Sequence, residues 1–218
     1  MPGKIAFIGD IHGDSARLSG LLAKLDYRGR RLIFLGDYVD HGPDSRAVVE
    51  ILLETKKRKP SSVFLSGNHE VGLLAFLSGR LPFLEYAWMG GLPTIRSYLG
   101  RADGEVRSEF VRAIPTPHLE FLSKCEPFFE TNCFLASHAG VNPALPESRQ
   151  LAEVVLGRHP SPLQHDLRPG KLVVCGHYLQ VMRTPFVSDS VICLNTGCGT
   201  IGGPVTALNY PEMTFLQA

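Results

Sequence analysis

No run of apolar residues in this 218-residue chain approaches the roughly 18 needed to span a bilayer, and Met1 to Gly9 is too short and too polar for a secretory leader. The expectation is a soluble, cytoplasmic protein that engages no membrane. Charge of one sign is missing too: 22 Lys+Arg stand against 21 Asp+Glu, so nothing announces a nucleic-acid polymer as partner. Five cysteines, an odd number, are scattered at Cys125, Cys133, Cys175, Cys193 and Cys198 without a Cys-x-x-Cys pair, which speaks against a disulfide framework or a structural zinc site. No Gly-x-Ser-x-Gly elbow marks a serine nucleophile, and no repeat, low-complexity tract or linker divides the chain. What is present, 44% apolar residues, suffices for a substantial core, and one domain over 1–218 is expected.

The first half repeats one grammar. Apolar runs at Lys4 to Ile8, Arg31 to Leu35 and Ser62 to Leu65 each end in a glycine turn, as strands buried on both faces do. Between them, Leu18, Leu21, Leu22 and Leu25, then Val48, Val49, Leu52 and Leu53, recur at helical spacing. The pattern predicts β-α-β-α-β-α. Gly79 to Pro117 carries Gly90-Gly91, several prolines and little periodicity, and is expected to be a loop-rich insertion capping a cleft. Later runs at Cys133 to Ala136, Leu172 to Cys175, Val191 to Leu194 and Val205 to Leu208 predict a second, more antiparallel sheet. The fold class is therefore α/β: two mixed sheets packed as a sandwich and flanked by helices.

Chemistry concentrates in the turns. Gly9-Asp10-Ile11-His12-Gly13, Gly36-Asp37-Tyr38-Val39-Asp40 and Gly67-Asn68-His69-Glu70 follow the three early strands, and the carboxyl ends of parallel strands line the ligand crevice of an open sheet. Two more histidines stand at later strand ends, in Ser137-His138-Ala139-Gly140 and Gly176-His177-Tyr178. One strand-end histidine is more often a hydrogen-bonded structural residue than a ligand. Five such turns in order, each flanked by glycine, are far more specific. Carboxylate oxygen mixed with neutral imidazole suits first-row divalent ions, and two such ions about 3.5–4 Å apart clamp a phosphoryl group and acidify a shared water.

These blocks, GDIHG, GDYVDHG, GNHE, SHAG and CGHY, resemble the signature blocks of calcineurin-like metallophosphoesterases, in the phosphoprotein phosphatase branch. The segments Leu194 to Cys198 and Gly202 to Ala207 are similar to the closing part of small bacterial phosphatases and diadenosine tetraphosphatases. The resemblance implies that Asp10, His12 and Asp37 bind a first metal, that Asp37 bridges, and that Asn68, His138 and His177 hold the second. It further implies that His69 protonates the leaving group with Asp40 orienting it, and that His41, Arg158 and Asn68 meet the substrate phosphate. Manganese is the expected metal, with iron or zinc satisfying the same ligands.

The chain departs from the pattern at His41, where most relatives carry an arginine, and at Asn195, where they usually carry aspartate. A histidine offers one donor and titrates near neutrality, so weaker phosphate affinity, falling as pH rises, is expected. Three functions follow from the resemblance. The first is hydrolysis of phosphate monoesters, on phosphoserine or phosphothreonine proteins or on small phosphorylated metabolites. The second is bis(5'-nucleosyl)-tetraphosphate hydrolysis, and the third a non-catalytic metal-binding scaffold.

Overall fold

A computed structural model describes residues 3–25, 29–103, 106–142, 163 and 170–218. The first half follows the predicted grammar: β1 (Ile5–Ile8), α1 (Ser15–Lys24), β2 (Arg31–Phe34), α2 (Ser45–Arg58), β3 (Val63–Phe64) and α3 (Asn68–Leu77). Asp14 and Asp44 start α1 and α2 by accepting the backbone N–H of Arg17 at 3.0 Å and of Ala47 at 2.9 Å, donors the helix itself leaves unpaired. Lys56, Lys57 and Arg58 close α2, where positive charge suits the carbonyl end of the helix dipole.

The segment expected to be loop-rich is largely helical: α4 (Phe83–Trp88), α5 (Leu92–Leu99), α6 (Val106–Ala113), then α7 (Thr116–Ser123). These helices run six to eight residues, too short for periodicity to register. The prolines that pointed to loop stand at or just before helix starts, where a missing N–H costs nothing. Tyr86, Ile95, Phe110 and Phe121 bury themselves in the same hydrophobic cluster as α1, α2 and α3.

The remaining strands are β4 (Phe128–Glu130), β5 (Phe134–Ser137), β6 (Leu172–Cys175), β7 (Phe186–Val187), β8 (Val191–Cys193), β9 (Thr206–Tyr210) and β10 (Thr214–Gln217). One sheet runs β10-β9-β1-β2-β3 and the other β4-β5-β6-β8-β7. Two expectations are corrected here. The centre of the second sheet is parallel, β5 beside β6 beside β8, and only its edges β4 and β7 are antiparallel. The run at Val205 to Leu208, assigned by sequence order to the second sheet, returns to pair antiparallel with β1. Strand pairing is a long-range choice that an apolar run by itself does not carry.

Alternate residues of each central strand face opposite ways, and both faces are covered. Phe7, Ile33 and Leu35 meet Phe134, Ala136, Val174 and Ile192 between the sheets, with the Phe7 and Phe134 rings edge-to-face at 5.0 Å. Ala6, Ile8, Leu32 and Phe34 turn outward onto the helices. With β1, β2, β3, β5, β6 and β8 all parallel within their sheets, the turns after each strand gather along one edge of the sandwich.

Candidate active site

Asp37, at the end of β2, occupies the centre of that edge. Its Oδ2 lies 3.2 Å from His138 Nε2, 3.6 Å from His12 Nε2 and 3.9 Å from His69 Nε2, while its Oδ1 accepts the backbone N–H of His69 at 3.1 Å. Asp10 stands alongside, Oδ2 3.8 Å from His12 Nε2, and takes the backbone N–H of His177 at 3.1 Å. Asn68 Oδ1 faces His138 Nε2 at 3.1 Å and His177 Nδ1 at 3.0 Å. Two groups of potential ligands, Asp10-His12-Asp37 and Asp37-His138-His177, therefore share Asp37, each with its ligand atoms within 4.8 Å of one another.

The donor set fits divalent cations. A carbonyl only accepts, so the Nδ1 of His12 facing Val39 O at 3.2 Å and the Nδ1 of His138 facing Leu35 O at 2.9 Å carry protons, which leaves Nε2 of each ring as the atom directed at Asp37: a lone pair in neutral His12, and in His138 an N–H whose proton a cation would displace. Such a backbone contact fixes both tautomer and ring orientation in metal-binding histidines. Burial pushes the His12 imidazolium down to about 3, so its ring is neutral and ligand-ready at neutral pH. Burial also raises Asp10, to about 7. At Asp37 burial acts the same way, but His138 and His69 outweigh it and hold the carboxyl well below its ordinary range. His138 shows the converse: burial lowers it, yet Asp37 lifts it to about 10.

Holding these side chains together strains the backbone. His12, Asp37, Asp40, His41 and His177 all have φ between 45° and 72°, the left-handed region that residues with a Cβ rarely occupy. Such conformations persist where surroundings over-determine them, and they gather at functional sites. Glycine is required beside them: a Cβ on Gly67 would sit 2.1 Å from Asp37 Oδ1, and one on Gly176 2.0 Å from Asp10 Oδ1.

A second layer converges on His69. Its Nδ1 bonds Asp40 Oδ2 at 2.8 Å, and Asp40 Oδ1 also accepts the hydroxyls of Tyr86 and Thr94, both at 2.7 Å. Burial would lower the His69 imidazolium, but Asp37 and Asp40 raise it to about 9. Its ring therefore keeps its proton at neutral pH, with Nε2 turned toward the site. His41 is exposed at the rim, its ring 5.0 Å from that of His12 and 5.1 Å from that of His69, and burial followed by His69 lowers its pKa. Near neutrality it is uncharged. Asn195 ties down the His177 turn, donating to His177 O at 3.0 Å and accepting Gly197 N–H at 3.1 Å. Buried Cys198 donates to Ile11 O at 3.2 Å. Arg158 lies outside the described residues.

Sequence reasoning missed three contributors. Glu70 is fully buried and accepts the backbone N–H groups of Asp37, Tyr38 and Gly67, each at 2.8 Å, so it pins the β2 turn to the start of α3. Its signal was present, as the fourth residue of Gly-Asn-His-Glu, three positions beyond the glycine that caps the helix. Tyr86 and Thr94 had none, because their helices of six and eight residues are too short to show a period.

A two-sheet sandwich with a shared-carboxylate His/Asp/Asn centre on its edge defines a class of metal-dependent hydrolases of phosphoric esters. The family model for calcineurin-like phosphoesterases matches residues 3–180, and the chain belongs to that family. A relative from Anoxybacillus flavithermus, named bis(5'-nucleosyl)-tetraphosphatase PrpE [asymmetrical], is 27% identical over 94% of this chain and 90% of its own length. One from Geobacillus thermodenitrificans bearing the same name is 28% identical over 98% and 93%. The crystal structure of a candidate diadenosine tetraphosphatase superposes with a TM-score of 0.72 at 23% identity, covering 99% of this chain and 93% of that one. The protein is thus an enzyme, a metallophosphoesterase. No helix among the described residues is long and apolar enough to cross a membrane.

Proposed function

We propose that this metallophosphoesterase hydrolyses the phosphate chain of bis(5'-nucleosyl) tetraphosphates, the second of the substrate classes expected from the sequence. The observation that carries this reading is that relatives named for the activity align over nearly the whole of both chains. The site chemistry supports it, since a paired cation centre serves a phosphoanhydride as well as an ester.

Asp10, His12 and Asp37 would hold one divalent ion and Asn68, His138 and His177 a second, with Asp37 common to both. Manganese remains the proposed metal. Two cations there would draw charge from the phosphoryl oxygens and activate water. His69, its proton held on Nε2 by Asp37 and Asp40, protonates the departing oxygen, an effect worth roughly 10²–10⁴ in rate. Asp40 keeps that imidazole oriented, and Tyr86 and Thr94 keep Asp40. Asn68 places a neutral oxygen, and His41 stands at the rim where the substrate phosphate enters, joined in this proposal by Arg158. The whole chain acts as one domain, with the helices between 79 and 117 forming a wall of the cleft.

Turnover of diadenosine tetraphosphate, a phosphopeptide and p-nitrophenyl phosphate, measured with manganese, iron or zinc and with His69→Ala as control, tests this proposal. Selective cleavage of the dinucleotide, lost in the variant, is the expected outcome. Preference for the phosphopeptide would return the substrate to the phosphomonoester class.

A further inference from the structure

Beside the rim histidine the surface sinks into a cavity of about 440 Å³ between the start of α5 and the Gly199–Gly202 turn. Pockets of about 300–1,000 Å³ accommodate small ligands. Its lining includes His41, Asp14, Pro93, Arg96, Gly199 and Gly202. It adjoins the reacting centre at His41, whose ring centroid lies 5.0 Å from that of His12 and 5.1 Å from that of His69.

Two features give this cavity a charge. Asp14 is already neutralised, because Arg17 bonds it through Nε at 3.0 Å while reaching Gly202 O at 3.2 Å. The guanidinium of Arg96 makes no hydrogen bond or ion pair among the described residues. By contrast, Arg30 is held by Glu212, Arg46 by Glu50 and Arg58 by Glu54. An arginine is charged at any working pH and presents a fork matched to phosphate oxygens. Gly199 and Gly202 contribute no side chains that would crowd it. Arg96 also sits on a helix fastened to the site, since Thr94, two residues earlier, both donates to Asp40 Oδ1 at 2.7 Å and accepts Asp40 N–H at 2.8 Å.

We propose that this cavity is the subsite for the substrate phosphates beyond the one at the metal centre, with Arg96 as its binding cation. The proposal rests on the dinucleotide reading of function. It assigns Arg96 to specificity: a long polyphosphate reaches it, and a single phosphate on a small leaving group does not. An arginine reached from α5 thereby supplies the fixed charge that His41 lacks.

The test uses the full chain with saturating free manganese. Arg96→Gln is expected to raise KM for diadenosine tetraphosphate about tenfold or more, the loss typical of a hydrogen bond to a charged group. Its kcat/KM for p-nitrophenyl phosphate should change less than about twofold, and Arg96→Lys should recover part of the dinucleotide affinity. Calorimetric binding supplies an independent readout: the variant should bind ATP more weakly and AMP as the native protein does. An unchanged dinucleotide KM, or parallel loss on both substrates, overturns the subsite. If the native enzyme turns over p-nitrophenyl phosphate but not the dinucleotide, the substrate reading fails, and the ATP result alone decides: selective weakening keeps a polyphosphate subsite, equal binding removes it.

Discussion

Two regions build the site in opposite ways. The strand-end turns of the two sheets supply every proposed metal ligand, each on a backbone fixed by a buried strand and, at the turns after β2 and β3, by the three amides that Glu70 gathers. The helices from Phe83 to Ser123 supply no proposed ligand, yet through Tyr86 and Thr94 they hold the carboxylate that orients His69. The difference teaches that the turns fix which ions and atoms react, whereas the helical wall sets how firmly the proton donor is held and what lies beyond the reacting phosphate.

Breaking the turn side should have the largest effect. Asp37→Asn removes the carboxylate common to both ligand groups, and kcat/KM should fall by more than about 10³, because paired ions supply several kcal/mol of transition-state stabilisation. Elemental analysis of the purified variant should find substoichiometric metal; full occupancy with activity retained would remove Asp37 from the centre.

Between the two regions lies Asp40→Asn. His69 is raised to about 9 in the folded protein from an ordinary 6.5. A proton donor works while protonated, and Asp40 bonds His69 Nδ1 directly at 2.8 Å, so the native rate should decline on the alkaline side, at a pH above the ordinary histidine value. Stability follows the same sign: the contribution of a raised histidine is complete below about 6.5 and is lost as pH climbs through about 9. Removing the carboxylate should shift the alkaline limb of kcat to lower pH and cut kcat on substrates with poor leaving groups by about 10²–10⁴. An unmoved limb would break the link between Asp40 and the proton.

The smallest effect is expected from the wall. Tyr86→Phe deletes one of three bonds to a buried carboxylate, a loss of about 1.5 kcal/mol at the low end for hydrogen bonds to charged groups. Scanning calorimetry should register a melting temperature lower by roughly 3–6 °C, with kcat reduced and metal content unchanged. If metal content fell instead, the division between turns and wall would not hold.

Much of the site was legible because its chemistry is written locally. Asp10, His12, Asp37, Asn68, His69, His138 and His177 each sit within a short glycine-flanked block at a strand end, and at Gly67 and Gly176 the glycine is required because Asp37 and Asp10 leave no room for a Cβ. The helices α4 to α7 were not legible, being too short for a period to emerge and, at α4, α5 and α7, begun by prolines that also begin loops. Glu70 was in view but unassigned, since its distant partners are backbone amides 33 and 32 residues away in the turn after β2.

The sequence by itself determined the strand-and-turn grammar, the two-sheet class and the identity of the clustered donors, because alternation, periodicity and turn chemistry act over a few residues. Only the tertiary structure decided that β9 returns to pair with β1, that Tyr86 and Thr94 reach Asp40 across 46 and 54 residues, and that Arg96 shares a cavity with His41. Those outcomes depend on which distant surfaces bury one another, and no local pattern encodes that choice.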